Sequence, residues 1–195
     1  MKTERLARIL KKLVTITFLC NLLALPLVPI LTSVVGCEIP LPELLDNLTA
    51  ALPVSGDDWL YFFPGMQLFL AVVGAWTENF AFTCVLTMFL LFCGVCTAVI
   101  LWQGRWVLDT VLRGEPFTRD NAANLRRAAV CCFLISGAAL LRTVWGLFYY
   151  RGPGPLFTYN ALFVLVFFMA ELLCLVVSAL FRQAAELKEE NDLTI

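Results

Sequence analysis

Four apolar stretches, residues 13–35, 80–101, 128–149 and 160–181, constrain this chain more than anything else in it. Each is as long as the helix that crosses the hydrocarbon core of a bilayer, about 20 residues. The second carries no charged residue, the third is interrupted only by Arg142 and the fourth only by Glu171. A lone strand in lipid would leave its backbone N–H and C=O groups without partners, so the stretches are helices. Composition agrees: the chain is 61% hydrophobic and 15% charged, whereas soluble domains run at about 45–50% and about 25%. The expected fold is all-α, a polytopic membrane protein with four transmembrane helices forming a single domain over residues 1–195.

The basic residues set the expected orientation. Lys2, Arg5, Arg8, Lys11 and Lys12 precede the first span; Arg105, Arg113, Arg119, Arg126 and Arg127 lie between the second and third; Arg182 and Lys188 follow the fourth. Residues 36–79, between the first two spans, hold Glu38, Glu43, Asp46, Asp57, Asp58 and Glu78 but no Lys or Arg. The positive-inside bias therefore predicts both termini and the middle loop in the cytoplasm, and residues 36–79 outside. Trp102 and Trp106 fall at the inner edge of the second span, and Tyr149, Tyr150 and Tyr159 at the outer edge of the last two, as interfacial aromatics do. Only Arg151 runs against the trend. The predicted location is the cytoplasmic membrane, multi-pass, with the lipid bilayer itself as the first partner.

Pro26 and Pro29 predict a kink in the outer half of the first span. That span ends in Val34-Val35-Gly36-Cys37, which is loosely like a lipidated secretory signal, but the apolar run exceeds the about 7–15 residues of a signal core. In the outer region, Pro40, Pro42, Pro53 and Ser55-Gly56-Asp57-Asp58 are turn signals. Residues 59–76 are apolar and aromatic yet too short for a separate span, and Pro64-Gly65 opens a helix that lies in the outer interface or dips into it. A hydrophobic cap over the bundle is the plain reading; a substrate-collecting surface is the sharper one.

Little in the chain supplies chemistry. It has no His, which removes His-based zinc sites and Ser-His-Asp triads, and its Asp and Glu residues form no metal motif. No cofactor is expected, and no glycine loop for phosphate is present. Cys20, Cys84, Cys93, Cys96, Cys131, Cys132 and Cys174 lie within spans. Cys93-Gly94-Val95-Cys96 has redox-like spacing, but inside a membrane helix these are expected to be small packing residues. Cys37 alone is outside, within conceivable reach of Cys84.

The middle loop is the most informative polar segment. Arg105, Asp109 and Arg113 are spaced i,i+4 and are expected to pair along one helical face. Gly114 and Pro116 stop that helix, and Thr118 is expected to cap the next, with Arg126 and Arg127 near the headgroups. Basic residues alternating with acids argue against direct nucleic-acid binding.

Arg142 and Glu171 are expected to be partners, since a lone ion in a span normally faces an opposite charge, the bundle interior or a cavity. With the outer turn centred near Pro153–Pro155, Arg142 projects to residues 166–168, one turn short of Glu171.

Gly114-Glu115-Pro116-Phe117-Thr118, followed by Asn121-Ala122 and Leu125-Arg126-Arg127, resembles the central signature of an uncharacterised bacterial membrane family, domain of unknown function 2975. The closing run from Phe181, through Glu186, Glu190, Asp192 and Leu193 to Ile195, is similar to that family's basic-acidic terminal helix; Asn191 stands where Gln is more usual. The resemblance implies no catalytic residues. It implies as a partner a small cytosolic helix-turn-helix regulator, of the kind often encoded beside family members. Two functions follow as expectations: a non-enzymatic regulatory or sensory protein acting through that partner, or a small transporter subunit or transport accessory, for which a homo-oligomer is expected. Leu193-Thr194-Ile195 is expected to pack on the membrane surface or the elbow.

Overall fold

The computed structural model describes residues 2–36 and 80–192, with side chains over 5–32 and 80–191. Residues 37–79, with Cys37, most of the acidic outer region and the 59–76 stretch, lie outside the described residues, as do 193–195. The described elements are α1 (Lys2–Ala24), a 3-10 turn (Leu25–Leu27), α2 (Val28–Gly36), α3 (Phe80–Leu112), α4 (Arg119–Tyr150), a second 3-10 turn (Gly154–Phe157) and α5 (Tyr159–Asp192). Among the described residues, four segments, Arg5–Thr32, Phe80–Leu112, Arg119–Tyr150 and Tyr159–Asn191, are long and apolar enough to cross a membrane.

Each of these segments, at 28, 33, 32 and 33 residues, is longer than the apolar stretch that motivates it. The interruption expected in the first span is the 3-10 turn Leu25–Leu27, centred on Pro26. Proline has no N–H to give the ladder and its ring crowds the preceding turn, so the helix tightens locally there.

The chain divides into two compact units, Met1–Leu25 with Phe92–Ile195, and Pro26–Leu91. In the second, the hydroxyls of Thr32 and Thr87 meet at 2.6 Å, both side chains being buried. A hydrogen bond of this kind holds helices together where lipid supplies no hydrophobic drive between them.

In the first unit, α1 meets α3 through the Lys11–Asp109 ion pair and through Phe18 on Trp102, with ring centroids 5.6 Å apart. Asp109 thus pairs with Lys11 on another helix, which corrects the expected pairing with Arg105 and Arg113 on its own. Gly94 accommodates Leu25, whose Cδ2 would lie 2.7 Å from an added Cβ. Farther along, Cys96 lies beside Cys131 on α4, and Cys132 beside Cys174 on α5. The described cysteines are free thiols.

The packing of α4 on α5 follows a stripe of small residues. Ala122, Ala128, Ala129, Cys132, Ile135, Ser136, Ala139, Thr143 and Gly146 are all buried. Their three- and four-residue spacing puts them on one face, and small side chains let two membrane helices approach closely. The inward face of α5 repeats at the same period, through Asn160, Val164, Phe167, Glu171, Cys174, Ser178, Phe181 and Ala185, while most of the positions between them are exposed. Ser136 Oγ donates to the Val164 carbonyl at 2.9 Å and Ser178 Oγ to the Ala122 carbonyl at 2.8 Å. These contacts fix an antiparallel pair. The outward surface of α5 carries Leu162, Leu165, Met169, Leu173, Val176 and Leu180, each more than half exposed. A patch this large and continuous needs an apolar solvent, here lipid.

Candidate functional site

The connection between α3 and α4 is built from complementary stop and start signals. Gly114 has φ +83°; its N–H donates to the Val111 carbonyl at 3.2 Å, and Glu115 N–H donates to the Thr110 carbonyl at 3.1 Å. These are the two bonds of a Schellman motif, in which a left-handed residue closes the helix and satisfies its last carbonyls. Gly114 is required because that backbone region costs other residues a Cβ clash. After Pro116, Thr118 adopts extended backbone (φ −125°, ψ 151°) and its side chain accepts from Asn121 N–H at 3.2 Å. That is an N-cap, and Asp120 in the first turn complements the helix dipole.

Asn121 locks the two helix ends to each other. Its side chain is fully buried, and Nδ2 donates to Thr110 Oγ1 at 2.6 Å and to the Pro116 carbonyl at 2.7 Å. Its Oδ1 has no hydrogen-bond partner among the described residues. Because Pro116 offers only an acceptor at that point, the amide nitrogen must face it. Gly114, Pro116, Phe117, Thr118 and Asn121 therefore converge on one ordered elbow.

The closing helix meets this elbow. Phe117 packs on Phe181 with ring centroids 5.4 Å apart, and Arg119 donates to Glu189 at 2.5 Å. The Arg119–Glu189 bridge is exposed, at 65% and 53%, so it adds little stability; the Phe117–Phe181 contact and the buried Ser178 bond carry more of the join. Phe117, Thr118, Arg119, Asp120, Ala185, Lys188 and Glu189 line a surface groove of about 260 Å³. Arg126 and Arg127 are exposed on α4. Glu186 accepts from Arg182 Nε at 2.9 Å, and Glu190 is exposed on the same helix. Asp192 ends α5; its side chain and Leu193 lie outside the described residues.

Arg142 and Glu171 are not brought together. Arg142 donates to Asn160 Oδ1 at 3.2 Å, whereas Glu171, on the inward stripe of α5, has a buried Oε2 with no hydrogen-bond partner among the described residues. The reason lies in the hairpin. Arg151 caps α4 in the left-handed region at φ 48°, and the connection to α5 runs from there to Thr158, around the expected Pro153–Pro155. The following 3-10 turn folds back on α4: Pro155 Cβ and Cγ lie 3.2 Å from where a Cβ on Gly146 would sit. This shifts the register so that Asn160 faces Arg142, and Glu171 lies about three turns, or roughly 16 Å, farther along.

Three positions that join segments distant in the fold escape the sequence reading. Thr110 and Ser178 look like ordinary hydroxyl residues on a helix, and nothing local reveals their cross-chain partners. Asn160 had a readable signal, being an amide at the head of an otherwise apolar span.

Long apolar helices, a lipid-suited exterior and polar side chains bonded between helices define a multi-pass membrane protein. The family described as protein of unknown function (DUF2975) matches residues 45–195, and the chain belongs to that bacterial membrane family. No curated protein and no solved structure matches the chain.

Proposed function

We propose that the protein is a regulatory or sensory membrane component, with both termini and the elbow in the cytoplasm, which acts by binding a cytosolic protein through the elbow and closing helix. One observation carries this reading. The two stretches that resemble the family's signatures, far apart in sequence, meet as one surface through Phe117–Phe181 and Arg119–Glu189. A pre-ordered surface loses little freedom on binding, and the elbow is held by a Schellman motif, an N-cap and a buried amide together. The basic distribution supports the orientation. A small helix-turn-helix regulator is the partner to try first.

Co-purification in mild detergent tests the proposal. The full chain should recover a helix-turn-helix regulator from its own gene neighbourhood, and the paired charge reversal Asp120→Lys with Lys188→Glu should reduce recovery without changing the elution profile of the membrane protein. Equal recovery by both proteins, or none by either, rejects the elbow as the docking surface.

A second reading, a transport accessory, is favoured by Glu171, an ionisable group on the inward face of a span with one oxygen left without a bonding partner among the described residues. Such residues mark ion or proton routes in membrane proteins. Proteoliposome ion flux that is lost in Glu171→Gln would support it; the absence of flux above protein-free vesicles would remove it.

A further inference from the structure

A second groove, about 460 Å³, runs between α4 and α5 at the end of the spans nearest the elbow. Its rim carries Arg119, Arg126 and Arg182 together with Glu186, and its floor is made of Ala122, Ala123, Ala179, Ser178 and Leu175. We propose that this groove is a binding site for one anionic phospholipid, the arginines taking the phosphate and the acyl chains following Leu175 toward the apolar face of α5.

Charge complementarity selects an anion. The three guanidinium groups face one carboxylate within the groove, and Glu186 accepts only from Arg182 Nε, leaving the two terminal nitrogens of that fork to other acceptors. Arg119 is shared with Glu189 outside the groove, and Arg126 has no ion pair or hydrogen bond among the described residues. Planar guanidinium forks suit phosphate oxygens in pairs. The site also lies at the first turn of α4, where the dipole is positive.

Position selects a lipid over a soluble anion. Arg126 and Arg182 flank the apolar stretches 128–149 and 160–181, so the groove straddles the level at which hydrocarbon gives way to headgroups. Its alanines leave a slot that larger side chains would fill, and below it Leu175 and Val176 continue as exposed apolar surface. Basic pockets between transmembrane helices at this depth hold anionic headgroups. A peptide segment would gain the arginines but would have to cover an apolar floor that opens into lipid.

Native mass spectrometry of the detergent-solubilised full chain, with dioleoyl phosphatidylglycerol and dioleoyl phosphatidylcholine at equal concentration, tests the site. The expected result is one retained phosphatidylglycerol in preference to phosphatidylcholine, weakened about fivefold by either Arg126→Gln or Arg182→Gln. Ala179→Phe should displace it with the charges intact, and Arg113→Gln, outside the groove, should leave it in place. Equal retention of the two lipids by the unaltered protein overturns the proposal without recourse to any variant. So does displacement of phosphatidylglycerol by inorganic phosphate, which would make this a soluble-anion site, and so does retention that survives both the arginine and the alanine substitutions.

Discussion

Asn121 Nδ2 and Thr110 Oγ1 are 2.6 Å apart, and this contact joins the last turn of α3 to the first turn of α4. The same amide also donates to the Pro116 carbonyl. Asn121→Ala should therefore lower stability by about 1–3 kcal/mol, the cost of leaving buried acceptors unmatched. Asn121→Asp is nearly isosteric but turns the donor into an acceptor facing a carbonyl, so it should be at least as damaging. Thermal unfolding in detergent reads both, and an aspartate variant as stable as the parent would show that the amide bonds do not hold the elbow.

Gly114 tests the other half of the elbow. At φ +83°, with nothing within 4 Å of an added Cβ, the cost of a side chain there is conformational and not steric crowding by neighbours. Gly114→Ala should lose roughly 1–2 kcal/mol, while Gly114→Asn, which tolerates the left-handed region, should lose less. The order of the two unfolding midpoints is the measurement; alanine equal to or better than asparagine contradicts the assignment.

The elbow was legible in the sequence because its signals are local. A glycine stop, a proline and a threonine cap act within a few residues of themselves, so Gly114, Pro116 and Thr118 announce their roles without tertiary information. The four long helices were legible for a different reason, since lipid imposes one length and one polarity on every span. What was not legible depends on register between distant segments. Asp109 looked like a partner for Arg105 and Arg113, but Lys11 on α1 reaches it. Thr110 and Ser178 gain their partners only when α4 is placed against α3 and α5.

Gly146 sits where the connection after Arg151 folds back on α4. An added Cβ would lie 3.2 Å from two carbons of the rigid Pro155 ring, so Gly146→Ala should cost about 1 kcal/mol or more through overpacking. Gly137, on the same helix, has nothing within 4 Å of an added Cβ, and Gly137→Ala should be neutral or stabilising through helix propensity. Unfolding midpoints of the two variants should differ in that direction. Equal midpoints would mean that the turn does not depend on the close approach of Pro155.

The register set by that approach determines which residue answers Arg142. Asn160 Oδ1 lies 3.2 Å from the guanidinium, and Glu171 lies several turns away on the same face of α5. Two double-mutant cycles separate these partners: Arg142→Ala with Asn160→Ala, and Arg142→Ala with Glu171→Ala, each read as unfolding free energy in detergent. The first pair should be coupled by about 1 kcal/mol, the range of hydrogen bonds between membrane helices. The second should be additive within about 0.5 kcal/mol, as for sites that share no partner. Removing Asn160 alone should be the milder loss, because it takes one acceptor from a charged group whose other interactions remain, whereas Arg142→Ala withdraws the donor altogether. Coupling of Arg142 to Glu171 with additivity at Asn160 would contradict this register, and would move every contact between α4 and α5 by more than a turn.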